Sequence, residues 1–392
     1  MRIVTARRSG RATCAVLATA LAVVPGATAL AAVPGAADGA RVPTVRTPLP
    51  TSLVTSGGTW ASVPMGHLHQ RLNTFWQLFY LPAGGQHWTN RVGGLGIATN
   101  GGLDLATARP GDLVVGIGPA DNLHYSALAA TSDAGETWHP GPPLPGRAEG
   151  VAASGTRLWA LIASSSGGKV LGATTSANAS WHAVASAPAL RRSGRGAPCA
   201  PRALTAVGTL GANALVGAAC GRPGAIGLYR PHGSSWQRVA PALPERARYD
   251  TATVVGLSST GTGALAVVVL TSPAGHRALA AAFLTSNGAQ LTALYPLAAG
   301  TQLASAGAAG HGAFALLRLA DGREVLVASS GPRARWASRP VPRGTATVAF
   351  PRAGETDALA VSDSTLTAYR WSSRRQWDKT EVVHVTIEFG SS

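Results

Sequence analysis

Tryptophan recurs along this chain at a nearly fixed interval, and that interval limits the fold more than any other feature. Six of the ten tryptophans, Trp88, Trp138, Trp181, Trp236, Trp336 and Trp377, follow one another at 41 to 55 residues, apart from one gap of 100 between Trp236 and Trp336. Leu291 lies 55 residues into that gap, so seven units of similar length fit. Self-similarity on this scale marks a repeat architecture and overrides the two or three domains that a chain of 392 residues would otherwise suggest.

Within each unit, short Ala/Val/Leu-rich runs are separated by Gly, Ser, Asn and Pro. The second unit has apolar runs at Gly102 to Ala106, Leu113 to Ile117 and Ala127 to Thr131, and the fifth repeats the scheme at Thr253 to Leu257, Ala264 to Leu270 and Ala278 to Leu284. These runs have strand length. Residues 251 to 275 carry no charge, but the Ser/Thr/Gly stretch 258–263 splits them into a hairpin rather than a membrane helix. Four short strands per repeat predict an all-β, seven-bladed β-propeller, with six or eight blades as the alternatives. After Trp377 the chain still carries a Val-rich alternating segment, while the first unit offers only Trp60 to Val63, Thr74 to Leu81 and His87 to Val92. One blade is short of a strand, so residues 381 to 389 are expected to pair with it and close the ring.

Arg2, Arg7, Arg8 and Arg11 precede an uncharged stretch from Ala12 to Ala37 that contains A-x-A sites at Ala27 to Ala31. This reads as a signal peptide over 1–31, with a retained anchor as the alternative, followed by a Pro/Ala/Gly-rich leader over 32–52 and the propeller over 53–392. Removal of 1–31 leaves 29 basic against 17 acidic residues. A soluble protein so charged is drawn to polyanions, although no nucleic-acid motif is present. Arg191, Arg192, Arg195 and Arg202 crowd a Pro/Gly-rich insertion and are the candidate anion contact, with a solvated loop as the plainer reading. Cys199 and Cys220 flank two β-like runs, and outside the cytoplasm such a pair is expected to form a disulfide. His67 and His69 lack a third ligand of similar spacing, so no metal is expected, and no cofactor motif is present. The aromatic first unit (Trp60, Phe75, Trp76, Phe79, Tyr80, Trp88) either fills its blade or offers a sugar-binding surface.

The segment Thr131-Ser132-Asp133-Ala134-Gly135-Glu136-Thr137-Trp138 resembles the Asp box, S/T-x-D-x-G-x-T-W, of the sialidase and BNR-repeat propellers, at Thr131, Asp133, Gly135, Thr137 and Trp138. The next unit keeps only the frame, from Thr174 to Trp181. The resemblance implies a propeller in which the box is a folding element rather than a catalytic one. Sialidases take the substrate carboxylate with three arginines. The nearest match to their Arg-Ile-Pro motif, Arg41-Val42-Pro43, lies far upstream in the leader. Catalytic residues are therefore not assigned. The functional expectation is a secreted, monomeric binding or scaffolding propeller whose ligand the sequence does not identify, with an anionic polymer or a carbohydrate as the candidates. An Asp-box glycoside hydrolase and a polyanion-binding envelope protein are the alternatives.

Overall fold

Short strands with a glycine or a polar pair at each reversal build this chain almost throughout. The computed structural model describes residues 49–67, 73–96, 99–109, 112–118, 125–164, 166–176, 178–193, 199–243, 248–260, 263–309 and 312–387. The expected signal peptide, most of the leader, Arg41-Val42-Pro43, His69 and Arg195 lie outside them.

The described strands form seven successive antiparallel meanders of four. The first runs through Thr51–Val54, Gly58–Gly66, Thr74–Pro82 and Thr89–Asn90, and the second through Leu103–Ala106, Leu113–Ile117, Ala127–Thr131 and His139–Pro140. The third has Ala148–Ser154, Arg157–Ile162, Lys169–Thr174 and His182–Ser186, and the fourth Pro201–Leu210, Asn213–Cys220, Gly227–His232 and Ser235–Arg238. The fifth has Thr251–Thr260, Gly263–Thr271, Arg277–Thr285 and Gly288–Leu291, with Tyr295–Leu297 returning along its third strand. The sixth has Gln302–Ala309, Gly312–Arg318, Glu324–Ser329 and Trp336–Pro340, and the seventh Thr345–Ala349, Asp357–Ser362, Thr365–Trp371 and Trp377–His384. A single pairing, Ala219 with Thr253, links the fourth and fifth into one sheet.

Burial grades across each meander. The second strand Gly263–Thr271 is buried along nearly its whole length, and its sequence is accordingly an almost unbroken run of Gly, Ala, Val and Leu. Fourth strands such as Ser235–Arg238 alternate exposed and half-buried positions, as an outermost strand should. The seven periodic positions, Leu291 included, all fall at or beside the fourth strand. They act between meanders rather than within one. Trp181 donates its indole N–H to the Pro142 carbonyl at 3.3 Å, Trp236 to Val184 at 3.2 Å, Trp336 to Ala293 at 2.8 Å and Trp377 to Pro340 at 2.8 Å. Each acceptor lies in or just past the fourth strand of the preceding meander. Trp138 instead packs on the first meander, against Trp60 with ring centroids 6.3 Å apart. Its indole lies so near Gly94 that a Cβ there would sit 2.6 Å from the ring.

Among the described residues the first and seventh meanders meet by packing and not by strand pairing, which corrects the closure expected of residues 381 to 389, the last two of which lie outside the described residues. Trp377–His384 pairs with Thr365–Trp371 of its own meander. The strand the first meander seemed to lack is Thr51–Val54, a short segment at the end of the leader, paired with Gly58–Gly66. The seam between first and seventh meanders holds Trp88 in one apolar cluster with Val383, Val385 and Ile387. It is tied by Ser52 Oγ to the Val348 carbonyl at 2.7 Å, by Trp88 N–H to Glu381 at 2.7 Å and by Arg370 to Gln86 at 3.1 Å. Trp60, Trp76, Phe79, Tyr80 and Trp88 are all buried, so they fill the first meander instead of forming a sugar-binding surface.

Cys199 and Cys220 are joined in a disulfide, with Cys220 paired in register to Pro201 across the open end of the hairpin. The turn at 131–138 is held by Asp133, which accepts from Thr137 N–H at 3.0 Å and from the hydroxyls of Thr137 and Thr131 at 2.5 and 2.7 Å. Ala134 and Gly135 follow it with φ of 61° and 82°. Those hydrogen bonds, the Thr137 hydroxyl first, hold the Asp133 carboxyl well below the usual carboxylate range.

Three outcomes follow from these contacts. Trp236→Phe, which keeps an aromatic ring but loses the bond to Val184 and part of the ring area, should cost about 1–2 kcal/mol in urea unfolding, and Trp236→Ala roughly 3 kcal/mol. Replacing both cysteines by Ser opens a loop with a sequence separation of 21 residues. That should lower unfolding free energy by about 3 kcal/mol. Because the folded-state pKa of Asp133 is depressed, its stabilisation is present above the ordinary carboxylate value and is lost as pH falls below it. Acid unfolding followed by circular dichroism should therefore be less steep below pH ~4 in Asp133→Asn than in the parent.

Candidate functional site

The first strands of the meanders face one another around a central opening. Thr51, Leu105, Val151, Val207, Leu257 and Leu303, from the first strands of six meanders, line a cavity of about 460 Å³. Small residues dominate these strands because they sit where the sheets converge. The cavity is apolar along much of its wall, and its polar groups are few and distinct.

Asp104 and Glu149 both line it, each the second residue of its strand, in the second and third meanders. Thr51, Thr205 and Ser258 contribute hydroxyl-bearing side chains, and Arg277 stands at the start of the third strand of the fifth meander. Arg277 is fixed by donating to the Thr301 carbonyl at 2.9 Å, and Thr205 by donating to the Val254 carbonyl at 2.5 Å. The wall thus offers carboxylate acceptors, a guanidinium donor and hydroxyls within one concave space, the composition of a small-molecule pocket.

Asp104 is the electrostatic focus. Its carboxyl keeps part of its surface open to the cavity but lies deep in the protein, and that desolvation, followed by the charge of Glu149, pushes its pKa up to about 7. A group so placed holds or releases a proton near neutral pH. Perturbed acids in a cleft are a recognised signature of functional sites.

Neither acid stood out in the sequence, although each is a charge inside an otherwise apolar first run, Leu103-Asp104-Leu105-Ala106 and Ala148-Glu149-Gly150-Val151. Their separation of 45 residues is one repeat, and that was the available signal. The residues singled out from sequence lie elsewhere. Arg191 and Arg192 are exposed at the end of a short helix, Ala187–Ser193, which is anchored by buried Ala187 and Leu190. Arg202 is exposed on the first strand of the fourth meander, against which that helix packs. The helix and the disulfide share one apolar cluster with Trp236. None of these arginines reaches the channel. The 131–138 turn joins the third and fourth strands of the second meander, where Glu136 pairs with Arg91 of the first at 2.7 Å. Among the described residues no group of three His, Cys, Asp or Glu side chains converges as a metal site would require.

No family model matches the chain, and no curated protein does. Solved structures do. A protein from Lactobacillus plantarum is similar with a TM-score of 0.53 at 12% identity, over 83% of this chain and 96% of that one. The periplasmic gluconolactonase PpgL of Pseudomonas aeruginosa gives 0.52 at 14%, over 83% and 95%. A candidate 6-phosphogluconolactonase of Bacteroides uniformis gives 0.51 at 12%, over 84% and 97%. These neighbours overturn the sialidase resemblance, which rested on eight residues of one turn. A turn held by an aspartate and two threonines is a local solution that carries no family with it. No helix among the described residues is long and apolar enough to cross a membrane. What the likeness does establish, together with the meanders, is that the chain is a β-propeller.

Proposed function

We propose that this chain is an exported, seven-bladed propeller that binds a small, hydroxyl-rich ligand in its central channel. The observation that carries the reading is that Asp104 and Glu149, close enough for the charge of Glu149 to raise the pKa of the Asp104 carboxyl, share a cavity of about 460 Å³ with Arg277. A protonated Asp104 donates a hydrogen bond, while Glu149 accepts, and Arg277 and the hydroxyls of Thr51, Thr205 and Ser258 complete a set suited to several hydroxyl or carbonyl oxygens at once. The seven meanders support the blade count. Export is supported by the arginine-led apolar N-terminus and by the disulfide, a bond typical of oxidising compartments. Two of the similar structures bear gluconolactonase names, which makes aldonolactones and the matching sugar acids the first ligands to test.

A second reading, hydrolysis of a bound ester or lactone, is favoured by one observation. A carboxyl whose pKa is near 7 beside another carboxylate can deliver or remove a proton at neutral pH.

Asp104→Asn separates binding from folding. With the folded pKa raised above the unfolded one, the folded state holds this proton more tightly, so the parent loses stability as pH rises from about 4 to about 7. The variant should lack that component and melt roughly 1–3 °C higher at pH 8. In titration calorimetry against gluconolactone and gluconate it should bind roughly tenfold more weakly than the parent. Turnover of the lactone that vanishes in Asp104→Asn would select the hydrolytic reading. Equal binding by parent and variant would remove the channel from consideration.

A further inference from the structure

Far from the channel axis, the outer strands of the sixth and seventh meanders carry a second cluster that the channel reading does not use. Arg339, in the strand Trp336–Pro340, holds its guanidinium 4.9 Å from the ring centre of Trp371. Trp371 meets Trp377 with centroids 5.1 Å apart and planes at 64°. The Trp377 indole is fixed to the Pro340 carbonyl, so the hairpin of the seventh meander is held against the outer strand of the sixth. All three side chains are half-buried.

The turn between the two tryptophans brings up Arg374 and Arg375, both exposed, and Arg343 is exposed just past the strand of Arg339. Among the described residues none of these four arginines has a carboxylate partner. The nearby acids are engaged elsewhere: Asp357 by Arg370 at 2.8 Å, Glu355 by Arg352 at 3.2 Å, Asp321 by Arg323 at 2.7 Å, and Asp378 by the Gln376 amide at 2.8 Å. Arg339 is the telling member. Its burial lowers its pKa from the ordinary arginine value, with no anion to offset the desolvation beyond the face of Trp371.

We propose that this rim binds an anionic polysaccharide, its acid groups taken by Arg339, Arg343, Arg374 and Arg375 and its sugar rings laid against Trp371 and Trp377. Guanidinium forks match carboxylate and sulfate groups, and an indole offers a flat apolar surface to the C–H face of a pyranose. Arg339 is already immobilised on its ring, so little ordering entropy is lost on binding. The geometry disfavours single-stranded nucleic acid, since successive bases need nearly parallel stacking platforms and these indoles are tilted by 64°.

The proposal stands apart from the channel and is tested on the full chain by titrating polygalacturonate, neutral dextran, an oligothymidylate and phosphatidylglycerol vesicles. Polygalacturonate should bind, with affinity falling as salt is raised, and dextran should not. Arg374→Gln with Arg375→Gln, in an exposed turn, and separately Arg339→Met should each weaken polygalacturonate binding roughly tenfold at an unchanged melting temperature. If Arg339→Met unfolds, the exposed double variant decides alone. Arg191→Gln with Arg192→Gln, on the short helix between the third and fourth meanders, should leave binding as it was. The proposal is overturned if that control weakens binding as much as the rim variants, if the rim variants bind like the parent, or if the oligothymidylate or the vesicles bind more tightly than polygalacturonate.

Discussion

An indole wedged between neighbouring sheets is the interaction on which the rest of this molecule depends. A four-stranded antiparallel sheet has two faces to bury and cannot be stable alone, so each meander needs its neighbour. Sheets arranged around an axis lie close together inside and splay apart outside. The gap to be filled therefore grows from the first strand to the fourth. Residues as small as Ala and Gly suffice near the axis, where a Cβ on Gly116 would come within 2.5 Å of Val151 in the next meander. At the rim only a large side chain spans the gap, and Trp181, Trp236, Trp336 and Trp377 do so while giving their N–H to a carbonyl on the far side.

That wedge geometry explains why the repeat was legible in the sequence and why its sealing was not. The rim position demands bulk in every unit, so tryptophan survives there, and Leu291 fills the same place in the fifth meander beside the apolar cluster it packs against. The remaining positions demand only small or apolar residues, which many sequences supply, so strand ends blur. Thr51–Val54 went unread because four residues beside a Pro-rich leader carry no periodicity of their own, and its absence then made the C-terminal strand seem spare. The turn at 131–138 misled in the opposite way. Its residues are specific for the hydrogen bonds they make, which are all local, and local chemistry recurs in unrelated proteins.

The channel acids were hidden by the same logic. A carboxylate on a first strand is one charge in a short apolar run, and only the fold brings Asp104 beside Glu149. The exposed arginines drew attention because they cluster in sequence at 191–202, whereas Arg339 of the sixth meander reaches Trp371 of the seventh only through the docking of one hairpin on another. Proximity along the chain reports solvated loops more readily than sites.

Charge is distributed to match that division. The chain carries 33 basic against 17 acidic residues, yet two of those acids stand in the inner wall, where burial and the charge of Glu149 raise the cost of ionising Asp104. An exposed carboxylate opposite an arginine contributes little to stability, but a carboxylate held in the channel is destabilising unless something uses it. The fold tolerates Asp104 there because the rim indoles and the buried second strands supply stability that does not depend on the channel. A repeat fold can therefore carry an unfavourable group at its centre, since the interactions that hold neighbouring sheets together lie at the opposite end of each sheet.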